Sequence, residues 1–302
     1  MRMLNYEEFK DTIVSKIKDY LPADYADATV SINSVLKNNS LKLDGLNIRR
    51  ESENICPNIY LNQFYDDYSD GRALEDILSD IAKIRQKNSC PVDFDVTAIT
   101  DFDSVKDKIS IKLINSEQNT EYLKGKPHIE FADLSAIYYI DLGTDECGSM
   151  TTVISDYLLS QYGVSVAELH QTAIRNMASN ARFSTMFEVL SEIMSDNIPT
   201  DAFCAADDMM FVLSNKNKVN GASMLLCPSV MDMIAEKVGK DYYLLPSSIH
   251  EALVVPDRPD MEVDSLASMV REVNATQVAK EEQLSDHVYR YNYDNHSLVI
   301  AA

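Results

Sequence analysis

Asp241-Tyr242-Tyr243-Leu244-Leu245-Pro246-Ser247-Ser248-Ile249-His250-Glu251-Ala252-Leu253-Val254-Val255-Pro256 places two apolar runs around a polar knot. Short runs rich in aromatic and β-branched residues, bounded by turn residues, read as strands. Residues 242–245 and 252–255 are therefore expected to form a strand pair, with Ser247, Ser248, His250 and Glu251 at its tip. A buried strand does not normally carry such a cluster, so the knot is the first candidate site.

The pattern holds on both sides of this pair. Upstream, 209–213 predicts a strand, 215–220 a polar turn, and 222–226 a second apolar segment. A helix is expected from Pro228, with Ser229 as its cap, Val230, Met233, Ile234 and Val238 as its stripe, and Gly239 as its stop. Downstream, Asp264 is expected to cap a helix carrying Leu266, Met269, Val270 and Val273, with Asn274 ending it. Residues 288–291 and 298–300 predict a closing hairpin across Asp294-Asn295. Between 127 and 208 the reading gives strands over 129–131, 136–142 and 150–154, then helices over 164–180 and 182–195.

The N-terminal part reads differently. Asn5 can cap a helix over 5–21, with Glu8 completing a capping box and Phe9, Ile13, Ile17 and Tyr20 in one stripe. Two alternating runs, 28–33 and 41–48, predict a hairpin, and 55–61 a third strand. An amphipathic helix over 72–86 and a strand over 109–114 follow. Gly125-Lys126-Pro127 is the expected boundary. The chain thus reads as α+β, with an N-terminal helix-and-hairpin lobe over 1–125 and a larger mixed α/β lobe over 126–302.

Composition bounds the function. The 302 residues carry 48 acidic and 27 basic side chains, a net charge of −21. The excess is sharpest over 127–215, where 13 acids face only Arg175 and Arg182. Such a surface repels phosphate backbones and attracts basic proteins, so direct nucleic-acid binding is not expected and a basic protein partner is. Solubility alone also accounts for the charge. No apolar run approaches the ~20 residues of a membrane helix, and the N-terminus lacks the apolar core of a signal peptide. With five scattered cysteines and no Cys-x-x-Cys pair, the expectation is free thiols in the cytoplasm.

Motifs that would announce a cofactor are missing from the sequence: it has no phosphate loop, dinucleotide fingerprint or zinc-protease pattern, so none is expected. Asp93, Asp95, Asp101 and Asp103 allow a cation site, with helix capping by Asp103 and Asp101 as the plainer reading. Asp141, Asp145 and Glu146 allow another, against a solvated turn. His170 lies beside the stripe of its helix as a packed or surface histidine.

Asn220-Gly221-Ala222, Leu226-Cys227-Pro228, Leu245 through Glu251, Val270 through Thr276 and Leu284 through Tyr291 together resemble a bacterial family defined only as a domain of unknown function. The similarity extends upstream through Val105–Ile109, Lys112–Asn115 and Tyr162–Ser165, and so over most of the chain. Members of that family are typical of gut Firmicutes, often beside genes of conjugative elements. The resemblance implies a cytoplasmic bacterial protein carried on a mobile element, and it implies no activity, cofactor or catalytic residue.

Three functions fit these residues. The first is a non-enzymatic interaction or regulatory protein using its acidic surface, and this is the expected one. The second is a hydrolase or transferase centred on Ser248, His250 and Glu251. On an extended strand Ser248 and His250 share a face, but neighbours two apart rarely reach nucleophile-base geometry, and there is no nucleophile elbow. The third is a small-ligand binder using Ser247, Ser248, His250, Glu251 and Asn274.

Overall fold

The computed structural model describes residues 3–53, 56–88, 99–145, 148–194 and 210–302. The chain folds as α+β, in two compact units: Met1–Thr97 with Gly143–Met150, and Ala98–Leu142 with Thr151–Ala302. No helix of the described residues is long and apolar enough to cross a membrane.

The first unit begins with α1 (Tyr6–Lys16), started by the expected capping box. Asn5 Oδ1 accepts the Glu8 amide, and a Glu8 carboxylate oxygen accepts the Asn5 amide, each at 2.9 Å. These bonds satisfy amides that a first helical turn leaves without partners. β1 (Thr29–Leu36) pairs antiparallel with β2 (Lys42–Arg49), Val30 opposite Ile48 and Ile32 opposite Leu46. β3 (Asn58–Tyr60) lies on the other side of β2, and α2 (Leu61–Ser69) and α3 (Leu74–Lys87) complete the unit. Phe9, Ile13 and Ile17 pack with Leu46, Ile48, Ile77 and Ile81 in one core, all without solvent exposure. Burying each such side chain is worth about 1.5–3 kcal/mol, which makes this helix-on-sheet contact the main support of the unit.

The second unit contains α4 (Phe102–Val105) and β4 (Ile109–Asn115), both N-terminal to the boundary expected at Gly125-Lys126. The reason is pairing: β4 runs antiparallel to β6 (Leu134–Asp145), from Ile109 opposite Ile140 to Asn115 opposite Leu134. A strand paired along its length with a neighbour belongs with that neighbour, so β4 falls in the second unit, which begins at Ala98 and excludes Gly143–Met150. β5 (His128–Phe131) pairs with β6 through a tight turn at Ala132-Asp133, and β7 (Gly148–Val153) also pairs with β6.

Next come α5 (Asp156–Tyr162), stopped by Gly163 at φ +65°, and α6 (Val166–Ala178), capped by Ser165. The helix expected over 182–195 starts only at Met186 as α7 (Met186–Met194). Its first residues instead form β8 (Ala181–Thr185), which pairs with β9 (Phe211–Asn215). The apolar segment at 222–226 is a 3₁₀ turn, Gly221–Leu226. α8 (Pro228–Val238) has Cys227 at its cap position instead of Ser229, with Pro228, which has no N–H to satisfy, in its first turn.

β10 (Tyr242–Leu245) and β11 (Ala252–Pro256) form the expected antiparallel pair, Leu244 opposite Val254. α9 (Val263–Thr276) starts from Glu262, with Asp264 inside its first turn, and runs two residues past Asn274. β12 (Tyr289–Asn292) and β13 (Ser297–Ile300) close the chain as a hairpin. The six-stranded sheet has the order β13-β12-β10-β11-β9-β8, every neighbour antiparallel. One core joins both sheets of this unit, with Leu113, Tyr138, Leu169, Leu213, Ile234, Tyr242, Leu244 and Val254 among its members.

Candidate binding site

The polar knot between β10 and β11 is fastened on two sides. On one side, the carbonyls of Pro246 and Ser247 accept the amides of Ser285 and Leu284 at 3.1 and 2.9 Å, and the Ile249 amide donates to the Glu282 carbonyl at 2.8 Å. On the other side, the Ile249 carbonyl accepts the Ala222 amide at 3.2 Å, and the His250 carbonyl accepts Ser214 Oγ at 2.7 Å. Gly221 lies so close here that a Cβ would collide with Ser214 Oγ, the His250 carbonyl and the Asn215 amide. This explains the Asn-Gly sequence: Asn220 adopts a left-handed φ of +55°, and Gly221 leaves room for the backbone of the knot.

The side chains of the knot are used in the same fastening. Ser248 Oγ accepts the His250 backbone amide at 3.1 Å. His250 Nδ1 accepts the Asn220 amide at 3.2 Å. An amide can only donate, so the ring proton sits on Nε2, which faces a Glu282 carboxylate oxygen at 3.4 Å. Both ring nitrogens thus face groups other than Ser248 Oγ. Glu251 is exposed and lies apart from this arrangement. Asn274 is buried and holds the far side: its Nδ2 donates to the Ser285 carbonyl at 3.0 Å and to Asp286 Oδ1 at 2.6 Å. Ser248 and His250 are therefore brought together through the backbone, and Asn274 braces the 283–286 segment to which the knot is bonded.

A cleft elsewhere in the second unit has the character of a binding site. Its volume is about 250 Å³, and Ile129, Phe131, Ala136, Leu225, Met231 and Leu298 supply its apolar walls. Glu130, His170, Tyr291 and His296 also line it, and among the described residues no lysine or arginine does. His170 Nδ1 lies 3.0 Å from the hydroxyl of Tyr138, and burial pushes the imidazole below its ordinary pKa. Asp232 organises the other end, accepting Tyr291 Oη at 2.6 Å and facing His296 Nδ1 at 2.8 Å. Hydrogen bonds from Tyr291 and His296 hold its carboxyl below the usual range. The cleft is therefore apolar in its walls, with His170, Tyr291 and His296 as polar points and the exposed Glu130 at its rim. Its residues come from seven separate elements and a loop, and in the sequence only His170 stands out, as a packed or surface histidine.

Among the described residues no group of three or more His, Cys, Asp and Glu is placed to hold a metal ion. Asp101 caps α4, accepting the Ser104 amide at 3.1 Å, a role the sequence reading gave first to Asp103. Asp93, Asp95, Glu146 and the Asp145 side chain lie outside the described residues.

A family model matches residues 6–293, nearly the whole chain. The chain belongs to the family of unknown function DUF5688. No curated protein and no solved structure matches it. The DUF5688 match takes in the knot, Asn274 and most of the cleft, while His296 and Leu298 lie beyond its end.

Proposed function

We propose that this DUF5688 chain is a non-enzymatic interaction protein that holds a basic protein partner at the cleft of its second unit. The observation that carries this reading is the cleft lining, in which apolar walls meet Glu130 at the rim and the Asp232-held Tyr291 and His296, with no lysine or arginine among the described residues. The net charge of −21 extends the same sign over the molecule, and 127–215 contains β5 and α6, two of the elements that line the cleft. Charge of this kind raises association rates and rejects acidic partners, while the apolar walls supply the lasting contact. The cytoplasmic, mobile-element setting implied by the family resemblance belongs to the same reading.

The test is a titration with two sets of short peptides of equal apolar content, one lysine-rich and one glutamate-rich, at low and high salt. Lysine-rich peptides are expected to bind, with affinity falling as salt rises. Equal binding of both sets would sink the proposal.

A further inference from the structure

The edge of β5 adjoins the cleft. Ile129, Glu130 and Phe131 are consecutive, and all three line the same cavity. Neighbouring side chains of a strand point to opposite faces, so three in a row border one cavity only along the strand's edge. β5 is the terminal strand of its sheet, paired with β6 on one side.

The turn fixes which backbone groups face outward. Phe131 stands opposite Leu134 across the two-residue turn Ala132-Asp133, with Ala132 at φ +53°. Such a turn is closed by a hydrogen-bonded pair, and pairs alternate along an antiparallel ladder. Ile129 and Phe131 therefore bond to β6, and the N–H and C=O of His128 and Glu130 point to the open edge. Glu130 itself is exposed.

We propose that the edge of β5 is a docking strand, to which an extended, basic segment of a partner protein adds as a further strand and places one apolar side chain in the cleft. This rests on the basic-partner reading above and gives it a binding mode. Strand addition supplies main-chain hydrogen bonds for affinity, and a pocket for alternate side chains supplies selectivity. A cleft of about 250 Å³ lies below the ~300–1,000 Å³ that takes drug-sized ligands, and it suits an anchor side chain. The carboxylate of Glu130 and the excess of acids over 127–215 select lysine or arginine on the residues flanking that anchor.

The test uses the full chain and a labelled short peptide of alternating leucine and lysine. Glu130→Gln removes the charge and keeps the amide. Glu130→Pro removes the outward amide as well, at an edge position where proline is tolerated. The Gln variant is expected to weaken binding several-fold, and the Pro variant by a further factor on the order of tenfold, the worth of one hydrogen bond. Peptide N-methylated at alternate residues, added to the unaltered protein, tests the same bond without any change in folding. One of its two methylation registers is expected to lose binding.

If both variants bind equally, or both N-methylated peptides bind like the parent, the strand-addition mode is overturned while the basic-partner reading stands. No binding of the parent peptide at low salt would overturn both. A concentration-dependent dimer of the unaltered protein, abolished by Glu130→Pro, would assign the edge to a second copy and overturn the proposal.

Discussion

Asp133 Oδ2 accepts a hydrogen bond from Ser285 Oγ at 2.8 Å, joining the turn after β5 to the start of the last hairpin across 152 residues of chain. The same carboxylate faces His287 Nδ1 at 3.0 Å and accepts from the Tyr289 hydroxyl. Burial alone would raise the Asp133 carboxyl, but the bonds from Tyr289, His287 and Ser285 outweigh it and hold the group below its ordinary range. A carboxyl with a depressed folded-state pKa contributes stability above its unfolded value, near 4, and loses it as pH falls through the folded value. Asp133→Asn is therefore expected to cost about 2 kcal/mol at pH 7. In urea unfolding the gap between the two proteins should narrow below about pH 4. An equal gap at both pH values would show that the charge of Asp133 is not what holds these elements together.

In the first unit, Arg85 is fully buried and pairs with Glu53, while its Nε donates to the Ile48 carbonyl at 2.7 Å. Arg50 grips the same Glu53, and the two guanidiniums lie over the Tyr25 ring at 4.9 and 5.0 Å. Removing one partner of a buried pair leaves a charge without compensation, whereas replacing both partners with apolar residues does not. Glu53→Leu is expected to cost about 3–5 kcal/mol, and Glu53→Leu with Arg85→Met markedly less. Denaturant midpoints of the two variants decide it, and a double variant as unstable as the single one would refute the argument.

Local signals carried the fold further than they carried the site. The Asn5–Glu8 capping box, the 242–255 strand pair and the closing hairpin were legible because each depends on neighbours in sequence. α2 has no such local signal, although Leu61, Phe64, Tyr65 and Tyr68 have helical spacing, because the run over 55–61 reads as a strand and takes in its start. β8 reads as helix because its half-buried residues carry no alternation, and only its pairing with β9 makes it a strand. The cleft could not be read at all: Glu130, His170, Leu225 and His296 meet only through the packing of distant elements. The knot was found by its composition, and its bonds to 214–222 and 282–285 had no local signal beyond the Asn220-Gly221 pair.

Those bonds give the knot a structural prediction. His250→Ala removes the acceptor of the Asn220 amide and is expected to cost about 1–2 kcal/mol. Gly221→Ala forces a Cβ against the His250 carbonyl and the Asn215 amide, backbone atoms with little freedom to move, and is expected to cost about 1–3 kcal/mol. Thermal melts of both variants test this. An unchanged Tm for His250→Ala would free the imidazole for a chemical role and return Ser248, His250 and Glu251 to consideration as a site.

His170 offers the sharpest reading of protonation in the cleft. The Tyr138 side chain is fully buried, and among the described residues the acceptor within reach of its hydroxyl is His170 Nδ1, at 3.0 Å. A buried hydroxyl proton needs that acceptor, so Nδ1 is unprotonated and Nε2 carries the ring hydrogen. Burial lowers the pKa of the ring, which means that the folded state favours the neutral form. The stability this contributes is complete above the unfolded value, near 6.5, and declines as pH falls through the depressed folded value. Nitrogen chemical shifts of the His170 ring should show the Nε2–H tautomer at pH 7 and a midpoint below about 6.5. Tyr138→Phe should remove the tautomer preference and cost about 1 kcal/mol. A midpoint at or above the ordinary histidine value would mean that His170 is solvated or charge-paired, and would overturn this reading of its protonation.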